Sequence, residues 1–345
     1  MEQTILAYGR AIIVAGMVPV LLVAALMLAL LSALGIVVPA VGPGQLSLQE
    51  LLVTLLISAG LGGVLLTALN KPLIHFYEGA YAFQRRWLLK WAVRRNLHRH
   101  QALYQSLLAC REMYNIAKVA SGTEDGSQPS DRERQANSAA LAIDDAYARL
   151  EASGSVRDLP IDPSVVAPTA LGNAYAVIEE YPYQRYGIDP MVFWPRLLAV
   201  LPSDYRASIG EQKTTCDFLL NLSLSLTLFT VVAFIIFVAH AVSNQLFSGL
   251  ALAGGLAALV AYGLYRVVVS ETHVLGKLIS GAFDLYRACL LEQFGFRRPP
   301  SLLEEQALWR ELATFIHRGE PFYYPHVADA LATAVETPTA KREAD

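Results

Sequence analysis

Apolar and polar positions in this chain come in long blocks rather than in short alternation. From Ala11 to Asn70 the one charged side chain is Glu50, and from Phe218 to Tyr265 there is none. A helix crossing a hydrocarbon core of about 30 Å needs roughly 20 apolar residues, and a charge at its centre costs about 2.5–3.5 kcal/mol on insertion scales. Each block is too long for one crossing and suits two. The pattern therefore predicts transmembrane helices near residues 14–38, 51–69, 218–240 and 247–266, paired as two hairpins. Pro39, Gly42, Pro43 and Gly44 would turn the first hairpin, and Val242 to Gln245 the second. Ser47 is placed to cap the second span with Glu50 as its capping-box partner. The first apolar run exceeds the core of a signal peptide, so an uncleaved first helix is expected.

Charge then sets the orientation. Lys71, Arg85, Arg86, Lys90, Arg94, Arg95 and Arg99 stand against the single acid Glu78 between residues 71 and 100, whereas neither expected hairpin turn holds a Lys or Arg. Positive charge near span ends stays on the cytoplasmic side. Both termini and both polar blocks are thus expected in the cytoplasm, with the spans in a plasma membrane of bacterial type. The fold class this implies is an all-α membrane protein: four transmembrane helices and an α-helical cytoplasmic domain. In domain terms, 1–70 is the first hairpin, 71–216 the cytoplasmic domain, 217–266 the second hairpin, 267–330 a helical extension and 331–345 a disordered tail.

Finer patterning fills in the polar blocks. Pro72 suits the first turn of a new helix running to about Val119, with Leu103, Leu107, Cys110, Tyr114 and Ala117 as its packing stripe. Residues 121–137, rich in Ser, Gly, Asp and Glu, read as a flexible loop, and 138–151 as a short helix. Pro160, Pro163 and Pro168 keep the chain extended until Thr169 caps a helix over 170–181. The stretch from Tyr181 to Pro202 is aromatic and punctuated by prolines. From Ser203 a helix is expected to run unbroken into the third span, and the fourth span to continue to about Phe294. Ser301, with Glu304, starts one more helix. Gly79–Leu89 also resembles Gly281–Leu291 at a constant offset, as a duplicated hairpin-plus-helix unit would.

Candidate chemistry is sparse. No HExxH, GxSxG or P-loop pattern occurs, and Cys110, Cys216 and Cys289 are too far apart in sequence for a CxxC site. No catalytic residue, metal or cofactor is expected. The formal net charge of −3 gives no bulk attraction to nucleic acid. Arg86, Lys90 and Arg94 fall on one helical face with Trp87 and Trp91 beside it, a pattern suited to a helix at the level of anionic lipid headgroups. The same run also serves as an ordinary orientation signal. The least generic polar segment holds Asn173, Glu180, Arg185, Asp189, Trp194 and Arg196, a candidate ligand or partner site. Those residues equally suit helix capping, Asp189 before Pro190, and pairing of Glu180 with Arg185.

Small residues at four-residue spacing, Ser58 with Gly62 and Ala59 with Gly63, fit close helix packing inside one bundle or in a homo-oligomer. The function expected is a membrane scaffold, sensor or assembly component that ties a cytoplasmic protein partner to the bilayer. A channel or membrane-disrupting effector gated by the cytoplasmic domain is the alternative. A membrane-bound enzyme using the segment from Asn173 to Arg196 is a third.

Overall fold

The computed structural model describes residues 12–33, 48–84, 89–102, 104–105, 141, 159–242 and 248–322, and every regular element among them is helical. A π-helical turn, Ile12–Met17, leads into α1, Val18–Ala33. Then follow α2, Leu48–Glu78; α3, residues 90–102; α4, Ala170–Tyr186; and α5, Pro190–Val200. The long helices α6, Ser203–Val242, and α7, Ser248–Gln293, precede α8, Leu302–Arg318. The expected turns at 39–44 and beyond Val242, the stripe from Leu103 to Ala117, the loop 121–137, the helix 138–151 and the tail 331–345 lie outside the described residues.

Among the described residues three stretches are long and apolar enough to cross a membrane: Leu56–Glu78, Ser203–Ala239 and Gly249–Gln293. The apolar helix Ile13–Leu28 is shorter than a crossing over the residues described. The outward faces fit this composition. Leu56, Leu61 and Leu65 on α2, Leu228, Phe234 and Ile235 on α6, and Leu252, Leu256 and Leu259 on α7 are each more than half exposed. Apolar area of that extent is costly in water and neutral against acyl chains, so the helices have the make-up of a membrane protein.

The chain divides into two compact units. The first joins Met1–Ile178 with Ser203–Ile279 and contains the apolar helices. Its core runs through Phe229, Ala233, Leu250 and Ala257 with Val23 and Met27 against them, and through Leu171, Leu220, Val268 and Val269 with Ile74 and Tyr77. The π turn meets α2 backbone to backbone. A Cβ added at Gly16 would stand 2.5 Å from the Gly63 carbonyl oxygen, and one at Gly63 2.7 Å from the Met17 nitrogen. Ala59, one turn before Gly63, is buried in the same seam, so the small-residue spacing of α2 is used within the chain.

Pro19, in the first turn of α1, has no N–H to offer the carbonyl four residues back, that of Ala15. Asn221 of α6 supplies a donor instead, its Nδ2 bonding Ala15 O at 2.8 Å in a buried position. Further bonds tie α6 to α7 along their length. Tyr205 Oη donates to Leu278 O, Gln212 Nε2 to the Glu271 carboxylate, Ser223 Oγ to Ala261 O and Thr230 Oγ1 to Gly254 O. The second unit, Glu179–Pro202 with Ser280–Asp345, packs Phe193 and Trp309 edge to face at 4.8 Å, with Phe283, Leu197 and Leu291 also buried.

Several expectations from sequence are corrected. Pro72 does not open a new helix; it lies inside α2, which continues to Glu78. Proline already has a helical φ, and its missing donor and its ring strain the preceding turn without ending the helix here, whereas the stop comes from Gly79 at φ +71. There Ala80 N bonds His75 O and Gly79 N bonds Phe76 O, the paired bonds of a Schellman end. The helix expected over 170–181 likewise passes through Pro182 to Tyr186, and α5 forms across Pro195. The proposed duplication is not matched locally. Gly79 breaks the chain direction, but the aligned Gly281 lies within continuous α7.

The seam generates a test. Replacing Gly63 with Leu is expected to lower stability by about 1–3 kcal/mol, as overpacking against backbone does. Gly255→Ala, where an added Cβ meets nothing within 4 Å, should be tolerated. Thermal melts of the detergent-solubilised protein compare the two.

Candidate functional site

A cleft of about 350 Å³ opens in the first unit between α3, the start of α4, and α7. Arg266, Ser270 and His273 follow one another on α7 at steps of four and three, which places them on one helical face. From α3 come Asn96 and Arg99; Leu159, Pro168, Ala170, Asn173 and Val269 complete the lining. The prolines at 160, 163 and 168 prevent a helical ladder here, so the segment's backbone groups need side-chain partners. Asn96 Nδ2 donates to Ala167 O at 2.9 Å and to Pro168 O at 3.2 Å. Asn173 accepts from Ala167 N at 2.7 Å and donates back to Ala167 O at 3.1 Å. His100 Nε2 bonds Ile161 O at 3.0 Å. Both asparagines are thus part of the wall. The lining also holds Arg99, Arg266, Ser270 and His273, and among the described residues no carboxylate lines it. Such a set suits an anion.

The second unit holds a denser polar constellation. Asp284 accepts hydrogen bonds from Tyr181 Oη at 2.9 Å and Tyr186 Oη at 2.7 Å. Arg287 lies over the Tyr186 ring, 4.0 Å from its centroid, and its Nε donates to the buried Glu305 carboxylate at 2.8 Å. Trp309 Nε1 reaches the same Glu305 oxygen at 3.4 Å. Partial burial first, and then the Asp284 acceptor, push the hydroxyl pKa values of Tyr181 and Tyr186 up. Every group in the constellation is directed at another member. These bonds hold α4, α7 and α8 together within the unit.

The six residues of the candidate segment take separate places. Asn173 lies in the cleft wall of the first unit. Glu180 accepts from Gln184 Nε2 on the same helix, and Arg185, also on α4, receives Gln306 Nε2 at its carbonyl. Asp189 caps α5, accepting from the Met191 and Val192 amides. The Trp194 ring lies 6.0 Å from that of Phe283, and Arg196 Nη1 bonds Val192 O. Of the membrane-surface residues, Lys90, Trp91 and Arg94 line a shallow groove with Arg95, His98 and Arg99, and Trp91 is 63% exposed. Arg86 and Trp87 lie outside the described residues.

Sequence reading passed over Arg266, Ser270, Asp284, Arg287 and Glu305 as site residues. The α7 spacing of Arg266, Ser270 and His273 was a legible signal; the meeting of Arg287 with Glu305 was not. Among the described residues no group of three His, Cys, Asp or Glu side chains is placed to hold a metal ion. No protein-family model, curated protein or solved structure matches this chain.

Arg287→Met should destabilise the second unit by about 3 kcal/mol, because the buried Glu305 then keeps only the longer contact to the exposed Arg298, at 3.9 Å. Arg287→Met combined with Glu305→Leu should recover most of that loss, and chemical denaturation of the three proteins measures the coupling. The tyrosines give a pH dependence. Their raised native values mean that their contribution is complete below the ordinary tyrosine pKa of about 10 and is lost as pH climbs through the native values. Stability should fall at alkaline pH, and fall less steeply in Tyr181→Phe/Tyr186→Phe; circular dichroism melts across that range read it.

Proposed function

We propose that this protein is an integral membrane scaffold or sensor, without catalysis, that couples an α-helical cytoplasmic domain to a four-helix bundle in the plasma membrane. In this reading the π turn with α1, α2, α6 and α7 form the bundle, both termini are cytoplasmic, and the polar blocks 71–216 and 267–330 face the same compartment. The basic run from Lys71 to Arg99 supports that orientation.

One observation carries the reading. Helix α7 is 46 residues long and unbroken, and belongs to the first unit up to Ile279 and to the second from Ser280. At 1.5 Å per residue it is about 70 Å long, more than twice a hydrocarbon core. A partner bound at the second unit would act on the bundle through this helix, provided it binds two arrangements of the helix with different affinity. The second unit also leaves Tyr183, Met191, Leu285 and Leu303 exposed, apolar surface of the sort protein partners cover.

Met191, 86% exposed, is the position to probe. In a variant with the native cysteines replaced, Met191→Cys should react with an impermeant maleimide in inverted vesicles and stay unreactive in intact cells. A bifunctional cross-linker at that cysteine should join the protein to one cytoplasmic partner in native membranes. Labelling from outside intact cells would reverse the orientation. Ion flux through reconstituted liposomes would replace the scaffold with a channel.

A further inference from the structure

We propose that the cleft between α3, α4 and α7 of the first unit binds a phosphate-bearing anion, its position favouring the phosphodiester of an acidic lipid headgroup. The inference is independent of signalling through α7. Arg266 is the first charged residue after the uncharged stretch that ends at Tyr265, which puts it where an apolar helix leaves the hydrocarbon for the headgroup layer. Ser270 and His273 continue its face away from the apolar stretch. Arg99 stands opposite in the lining and is shared with the exposed groove of Lys90, Trp91, Arg94, Arg95 and His98, so the cleft adjoins a basic, tryptophan-bearing surface.

The donors available to a ligand can be separated from those already engaged. The asparagines are bonded to the backbone of residues 167 and 168. The first amides of α4 are also taken, Leu171 N by Tyr265 Oη and Gly172 N by Thr169 Oγ1. Among the described residues the lining adds two guanidinium groups and a hydroxyl and no carboxylate, a set matched to the oxygens of a tetrahedral phosphate. A groove of similar volume, about 370 Å³, between α2, α6 and α7 has no charged residue in its lining and lacks this character. The volume suits a headgroup and falls at the small end of ligand sites.

Native mass spectrometry of the full-length protein in detergent, titrated with dioleoyl phosphatidylglycerol or dioleoyl phosphatidylcholine, tests the lipid source. Calorimetry with inorganic phosphate tests a soluble one. Phosphatidylglycerol should bind more tightly than phosphatidylcholine, and Arg99→Gln and Arg266→Gln should each weaken it about fivefold, the scale of one basic group at an anionic surface. Arg206→Gln, an exposed arginine of α6 outside the lining, should leave binding unchanged. Ser270→Glu keeps both arginines and should abolish binding by placing a carboxylate in the cleft. Losses confined to phosphatidylglycerol identify a headgroup site, and losses confined to or shared with inorganic phosphate identify a site for the phosphate group itself. Failure of the wild type to bind either probe, or unchanged affinity in Arg99→Gln/Arg266→Gln and Ser270→Glu, would overturn the proposal.

Discussion

A backbone carbonyl or amide that loses its helical partner has no water to turn to in hydrocarbon, and much of the first unit follows from that constraint. Pro19 denies Ala15 its usual donor, and Asn221 of α6 provides one. Because that bond is buried and directional, it fixes where the π turn and α1 lie along α6. The neighbouring seam works by the same logic in reverse. Gly16 and Gly63 remove side chains so that two backbones meet, which is the form of helix attraction available where lipid is as apolar as leucine. A polar bond and a small-residue contact, within a turn of each other, thus hold α1's approach against two different helices.

The constraint reappears at the polar end of the bundle, where helices stop and the chain turns. The α2 terminus is closed by its own Schellman bonds and by Thr169 Oγ1, which donates to Glu78 O at 2.9 Å. Gly172 must also be small there, since a Cβ would stand 2.4 Å from that same carbonyl oxygen. The proline-rich segment before α4 is held by Asn96, Asn173 and His100. The cleft is the space these arrangements leave. Its asparagines are bonded to the backbone, and Arg99 and Arg266 complete its polar lining.

How much of this was legible in the sequence depends on range. The apolar stretches of α2, α6 and α7 could be read because hydropathy is a local sum, and so could the caps at Asp189 and Ser301, where donor and acceptor lie within three residues. The end of α2 was misread because Pro72 is a conspicuous breaker by composition, although the conformation that stops the helix is the positive φ at Gly79. The six residues of the candidate segment were grouped by proximity along the chain, and helix geometry sent Glu180, Asp189 and Arg196 to different faces and ends. Arg287 and Glu305 are 18 residues apart, with a helix end and two prolines between them, and no periodicity announces their meeting.

The buried pair in the second unit also bears on what that unit does. An ion pair at this depth gives little net stability over well-packed apolar residues, but it tolerates few alternative arrangements, because a slip costs the buried carboxylate its short bond and leaves it the 3.9 Å contact to Arg298. Here the constraint is multiplied. Arg287 must satisfy Glu305 while lying on Tyr186, whose hydroxyl is bonded to Asp284 three residues before Arg287 on α7. Asp284 and Arg287 share one helix face, so the register of α7 against Tyr186 and Glu305 is set by two separate bonds. Such an ion pair contributes specificity of register more than added stability. Aromatic packing around Phe193 and Trp309 supplies the cohesion, leaving the charged groups to fix the position of α7 within its unit.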